Sequence, residues 1–218
     1  MSNTVDKNED YYRNPREEMV EFVPSSAKTV LEVGCGVGAF GAAIKSRGAE
    51  VWGVEPSQAA EQAAKRLDRV IHRPVEQVDG VLPRAYFDCI VFNDVLEHLV
   101  DPWSVLRLAR GWLALDGVVV ASIPNIRHLR ELKSLVLAKQ WDYADEGILD
   151  SSHLRFFTIA SIPKLFSSCG YQVLRIQGIN AGRVGWKFRV LNVLTAYALD
   201  DTRYMQFACI ARRAPDHP

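Results

Sequence analysis

Long apolar runs are missing from this chain: nothing in it approaches the roughly 20 consecutive apolar residues of a spanning helix, so an integral membrane segment is not expected. A charge excess is missing as well. Lys+Arg and Asp+Glu balance at 26 each over 218 residues, which leaves no global field to recruit nucleic acid or an acidic membrane surface. A nucleic-acid partner is therefore not expected. Metal-ligand spacing is absent too: Cys35, Cys89, Cys169 and Cys209 form no C-x-x-C pair, and none of the five histidines falls in an H-E-x-x-H pattern. Buried free thiols and a metal-free site are the expectation. The stretch Met1 to Asp10 is polar and acid-rich without an apolar core of the signal-peptide kind, from which a cytoplasmic location is expected.

What is present is a chain that is 48% hydrophobic, enough for one sizeable core. The most informative stretch is Val30-Leu31-Glu32-Val33-Gly34-Cys35-Gly36-Val37-Gly38-Ala39-Phe40, where a buried strand runs into a glycine turn that opens a helix. Glycine reaches positive φ without steric cost and lets backbone approach a ligand, while the helix start presents unpaired N–H groups. The next strand, Glu50 to Glu55, ends in a carboxylate about 20 residues beyond the glycines, where a ribose-binding acid is expected. Together they point to a cofactor containing a ribose. Gly34, Gly36 and Ala39 also satisfy the dinucleotide fingerprint G-x-G-x-x-G/A, so these residues alone leave a nicotinamide oxidoreductase open.

Strand-like and helical stretches alternate, which predicts an α/β fold: a doubly wound, mainly parallel, Rossmann-like sheet with helices on both faces. Strands are expected at 29–33, 51–55, 69–72, 87–93, 118–123, 171–177 and 204–212, with a turn at Leu115-Asp116-Gly117. Helices are expected at 39–47, over "QAAEQAAKRL" (58–67), and from the Asp101-Pro102 cap to about Leu113. A further helix is capped by Thr158 and ends at Gly170. Residues 1–28 read as an N-terminal arm, 29–212 as one domain and 213–218 as a tail. Two inserts, about 125–157 and 180–203, interrupt the alternation, the first with a helix over 125–139 and the second with helical spacing of Trp186, Val190, Val193, Leu194 and Tyr197.

"VLEVGCGVGAFG", "VWGVEPS" and "FDCIVFNDVLEHLVDP", in that order, resemble the class I S-adenosylmethionine-dependent methyltransferases. "YYRNPREEMVEFVP", "SIPN", "DSSHLRFFT" and "YMQFACIARR" further resemble a bacterial subgroup acting on small molecules and glycans, similar to ubiquinone-type O-methyltransferases. The resemblance implies a seven-stranded sheet whose last strand is antiparallel, S-adenosyl-L-methionine as cofactor, and transfer of its methyl group to a small-molecule, sugar or lipid-linked acceptor, foremost by O-methylation.

Carried onto this chain, the resemblance sets Gly34, Cys35, Gly36 and Gly38 against the cofactor's ribose and amino-acid portion. Glu55, followed by Pro56, accepts from both ribose hydroxyls, and its replacement is expected to spare the fold. Glu32 either braces the glycine loop or reaches the cofactor's ammonium, since a carboxylate inside an apolar strand needs a hydrogen-bond partner. Pro74 stands where many relatives carry an acid for the adenine, which leaves the Val75 backbone, with Glu76 nearby, to hold that base. Asn93, Asp94 and Val95 line the sulfonium side. Tyr11, Tyr12 and Arg16 either fold over the cofactor carboxylate or pack on the core.

Methyl transfer to a hydroxyl needs a base. His153, in the irregular stretch after the fifth strand, is the first candidate, with anchoring of its loop as the alternative; His98 is the second, with bracing of a short helix as its alternative. The inserts bring Trp141, Tyr143, Trp186, Phe188 and Tyr197 as an aromatic inventory for an acceptor, or else for the interface of a homodimer. A non-catalytic cofactor-binding protein is the remaining alternative.

Overall fold

The computed structural model describes residues 15–215, so Tyr11 and Tyr12 lie outside the described residues. In chain order the elements are α1 (Glu17–Val20), β1 (Thr29–Val33), α2 (Ala39–Lys45), β2 (Glu50–Val54), α3 (Ala60–Ala63), β3 (Arg69–Ile71), β4 (Phe87–Asn93), α4 (Pro102–Trp112) and β5 (Leu113–Pro124). There follow α5 (Leu129–Lys133), α6 (Ile162–Ser168), β6 (Tyr171–Ala181), α7 (Trp186–Leu194) and β7 (Tyr204–Arg213).

The strands form a single seven-stranded sheet in the order β3-β2-β1-β4-β5-β7-β6. β1 to β5 are parallel, and β7 runs antiparallel to both β5 and β6. Covering both faces demands strands that are apolar at every position, and β4 divides its residues alternately between two cores. Ile90 and Phe92 join Leu106, Trp112 and Phe166 beneath α4 and α6, whereas Cys89 and Val91 join Met19, Phe40 and Ile44 beneath α1 and α2. All four cysteines are free and buried.

The chain winds outward from β1 to β3 and then returns to place β4 on the other side of β1. That reversal opens a crevice at the carboxyl ends of β1 and β4, the usual ligand position in such sheets.

Local chemistry accounts for several boundaries. Asp101 Oδ1 accepts the Ser104 N–H at 3.0 Å and Pro102 occupies the first turn, so α4 starts where the cap and the proline direct. Other expectations are corrected. The turn at 115–117 is absorbed into β5, which carries a register shift against β4 between Phe87 and Cys89. β6 runs four residues further than expected because β7 pairs with it as far as Ala181↔Tyr204. The helix expected over 125–139 is confined to α5 and a π-helical turn, Ser134–Ala138; Asn125 instead bridges to Phe157 and spends its buried amide on the carbonyls of Asp201 and Tyr204 at 2.9 and 3.0 Å. The helix over 58–67 shrinks to α3, and α6 starts at Ile162 behind Ser161, after a turn at Thr158.

Candidate functional site

Gly34, Gly36 and Gly38 all adopt positive φ (70°, 52° and 76°) in the turn that follows β1. At Gly34 space is also decisive: a Cβ there would lie 2.6 Å from Val95 Cγ2, so the glycine turn and the loop after β4 are in direct contact. Gly36 donates its N–H to Glu55 Oε2 at 2.8 Å, and the Ser57 N–H reaches Glu55 Oε1 at 3.0 Å. Glu55 is only 4% exposed. Its carboxylate thus clamps two loops together, a role beyond the expected ribose contact. A carboxylate has about four acceptor sites, so two remain for a ligand's hydroxyls.

Glu32 is buried. Its Oε2 lies 2.8 Å from the position of a Cβ on Gly41, beneath α2. Burial pushes its carboxyl up to about 8, opposed by the Gly41 backbone N–H and reinforced by the charge of Glu55, so Glu32 is mostly neutral at pH 7. The contact with Gly41 is of the bracing kind, and Oε2 has no hydrogen bond among the described residues. The Cys35 side chain also faces inward: Sγ lies 2.5 Å from where a Gly53 Cβ would stand, and burial, then Glu32 and Glu55, pushes the thiol well up. Only its backbone remains for a ligand. Pro56 is exposed beside Glu55, and Val75 is buried at the start of a 3-10 turn that follows Pro74.

At the end of β4 both polar atoms of the Asn93 side chain are shielded from solvent and without a hydrogen bond among the described residues. A buried amide left in that state is a group that a ligand would satisfy. Asp94 adopts φ 53° and is held from several sides: Oδ1 accepts from Ser122 Oγ at 2.8 Å and from Gln206 Nε2 at 2.9 Å, and Oδ2 pairs with Arg16. Arg16 was expected over the cofactor carboxylate or on the core. Its guanidinium spans the rim from Asp94 to Ser122 and Gln206.

The two candidate histidines, 55 positions apart in sequence, meet. Leu154 and Arg155 donate their N–H groups to the Glu97 carbonyl at 2.8 and 3.0 Å, which pins the irregular stretch to the loop after β4. The rings of His98 and His153 then pack edge to face with centroids 4.6 Å apart. His153 is buried, with Nδ1 2.9 Å from the Ile148 carbonyl. A carbonyl only accepts, so Nδ1 carries the proton and the lone pair of the neutral ring lies on Nε2. His98 Nδ1 faces Ser152, whose Oγ in turn donates to Asp150 Oδ1 at 2.6 Å.

Sequence reasoning missed Glu97. It is 1% exposed, neither oxygen has a hydrogen bond among the described residues, and burial pushes its carboxyl up to about 8, with Arg16 opposing and Asp150 reinforcing. One ligand-type atom from each of Glu97, His98 and His153 lies within 4.8 Å of the others, a grouping that no sequence spacing announces. "LEHL" looks like an ordinary helix face; only the pairing of 97 with 154–155 encloses its glutamate. Glu97, His153, Asp94 and Arg16 line a cavity of about 200 Å³, together with the apolar side chains of Ile148 and Met205.

Comparison with known proteins agrees with this architecture. The chain is 30% identical over 165 residues to a ubiquinone biosynthesis O-methyltransferase of Psychrobacter arcticus, covering 71% of this chain and 63% of that protein. It is 34% identical over 113 residues to its namesake in Bradyrhizobium diazoefficiens, covering 50% and 43%. The chain therefore spans between about two fifths and two thirds of the length of these relatives. A solved structure, a SAM-dependent methyltransferase from Archaeoglobus fulgidus, shares the fold with a TM-score of 0.67 at 18% identity, over 94% of this chain and 95% of that one. A family model described as a methyltransferase domain matches residues 7–176, and with the glycine turn, the strand order and the antiparallel last strand in place, the chain belongs to that family.

Proposed function

We propose that this protein transfers the methyl group of S-adenosyl-L-methionine to a hydroxyl of a small-molecule acceptor, a phenol, sugar or lipid-linked ring. The residues present fit the cofactor. Three glycines at positive φ leave the backbone of the turn bare of side chains, Glu55 has acceptor sites to spare, and the Asn93 amide lacks partners among the described residues. When bound, the cofactor supplies an electrophilic methyl on a sulfonium with a neutral thioether as leaving group. The protein's own task is then to hold the acceptor oxygen in line and to remove its proton.

The observation that carries the reading is the position of His153, whose Nδ1 is committed to Ile148 at a cavity walled by the loop that touches Gly34. Its Nε2 accepts the hydroxyl proton, and Glu97, whose carboxyl burial pushes up, lies beside it. The names of the relatives support an oxygen acceptor, and four free, buried cysteines suit a reducing, cytoplasmic setting. A nicotinamide oxidoreductase has no use for the loop after β4.

The test is a labelled-methyl assay with phenolic, sugar and polyprenyl-phenol acceptors, run with His153→Ala and with calorimetric titration of S-adenosylhomocysteine and NAD. Turnover falls about 100-fold in the variant while S-adenosylhomocysteine still binds, and NAD does not bind. Full turnover in a variant that melts normally removes His153 from the chemistry. Activity lost to a chelator and restored by a divalent cation assigns Glu97, His98 and His153 to a metal instead of to proton transfer.

A further inference from the structure

The cavity beside His153 has a larger neighbour, of about 370 Å³. Asn180 and Met205 border the first, and Gly182 and Arg203 border the second. Along the β6 and β7 chains the two sets lie two positions apart, about 7 Å of extended backbone. The pair Ala181↔Tyr204 stands between them, and the Gly182 N–H continues the ladder to the Arg203 carbonyl at 2.8 Å. The two spaces therefore share the ends of β6 and β7 as a wall, at a separation that one ring with a short substituent bridges.

The second space is lined by Arg130, Lys133, Arg183 and Arg203, with His128 beside them and no carboxylate. Arg130 pairs with Glu131 at 3.3 Å and Arg203 lies 3.7 Å from Asp200, so two of these cations have a counter-charge, whereas Lys133 and Arg183 have none among the described residues. The other acids of the inserts lie elsewhere. Asp201 is committed to Arg127 at 2.7 Å, Asp150 borders the cavity at His153, and Asp142, Asp145 and Glu146 belong to neither lining. The charge at this cavity is thus positive although the inserts as a whole are nearly balanced. Two polar atoms of its lining residues, His128 Nδ1 and Arg203 Nε, are shielded from solvent and without a hydrogen bond among the described residues. Buried atoms in that state are ones that a ligand satisfies. Guanidinium and ammonium groups only donate, and donors with excess positive charge around one space match an oxyanion.

We propose that this cavity is a specificity subsite, which holds an oxyanionic group of the acceptor, a phosphate or a carboxylate, on Lys133, Arg183 and Arg203 while the acceptor's hydroxyl lies at His153. The inference rests on the methyl transfer proposed above and adds that the acceptor is acidic. A guanidinium binds an oxyanion through two parallel hydrogen bonds, which fixes orientation as well as position. An acceptor held at both ends presents one chosen hydroxyl in line with the methyl group.

The test is a labelled-methyl assay of the full chain with catechols that carry, on alkyl tethers of increasing length, no charge, a carboxylate or a phosphate monoester. At a matching tether length the anionic members show a Michaelis constant roughly tenfold or more below that of the neutral one, and added salt narrows the gap. Lys133→Gln with Arg183→Gln closes the gap, and Lys133→Arg with Arg183→Lys restores it, while S-adenosylhomocysteine binding confirms that each variant is folded. Equal constants for neutral and anionic members overturn the proposal, as does a gap that the glutamine variant leaves intact. If no member is methylated, the reading of the reaction fails separately, and calorimetry of the protein saturated with S-adenosylhomocysteine decides the subsite. Tighter binding of the anionic catechols that the glutamine variant abolishes upholds it; equal binding overturns it. Inorganic pyrophosphate that binds where no catechol does assigns the cavity to a free anion and overturns its link to the acceptor.

Discussion

Replacing Glu55 by Gln removes one oxygen from a carboxylate that holds two backbone donors, Gly36 N–H at 2.8 Å and Ser57 N–H at 3.0 Å. Whichever way the new amide is turned, its NH₂ meets one of those N–H groups donor to donor. One charge-assisted bond is lost and one loop donor is left unsatisfied, at a cost to the apoprotein of about 1–3 kcal/mol. For a chain of this size each kcal/mol lowers the melting temperature by about 2–4 °C. The same substitution strips acceptor sites and charge from the ribose position, weakening S-adenosylhomocysteine by about 1.5–3 kcal/mol, or roughly 10- to 150-fold. The two losses are separable. Denaturant titration without ligand measures the clamp, and calorimetric titration at a temperature where the variant is fully folded measures the contact. Reduced stability with unchanged affinity would leave Glu55 a structural clamp and move the ribose elsewhere; unchanged stability would refute the clamp.

The buried carboxyls make a pH prediction. Glu97 is pushed up from 4.5 to about 8 by burial, so between those values the folded state keeps a proton that the unfolded chain has released, and stability falls as pH rises. Melting of wild type against Glu97→Gln from pH 5 to 8 should show the gap moving in favour of the variant, by at most about 1.4 kcal/mol per pH unit. A gap independent of pH refutes the shift. Gly36→Val places a β-branched side chain at φ 52° in the cofactor turn, and calorimetry should show S-adenosylhomocysteine binding abolished; normal binding would show that the turn does not touch the ligand. Asn125→Ala removes a buried amide that holds the Asp201 and Tyr204 carbonyls, and denaturant titration should show a loss of about 1–3 kcal/mol.

The sequence by itself determined the features that local rules govern. The apolar strand β4, the Asp101-Pro102 start of α4, the glycine turn and Glu55 at the end of β2 were all legible, because backbone conformation, capping and strand burial act over a few residues. Helix length within the inserts was not legible in this way. Asn125 looks like a helix residue until Asp201 and Tyr204, almost 80 positions away, supply carbonyls for its amide. Nor does the sequence announce that Glu32 lies against Gly41 of α2.

Tertiary structure alone decided the site's electrostatics. Glu97 is an ordinary helix-forming acid in sequence and becomes a neutral group beside two histidines only because residues 154–155 pair with its carbonyl and bury it. A neutral composition likewise conceals the gathering of Arg130, Lys133, Arg183 and Arg203 around one cavity, since balance over 218 residues says nothing of where each sign resides. Burial and charge segregation arise from contacts between distant parts of the chain, and those contacts exist only once the sheet has brought them together.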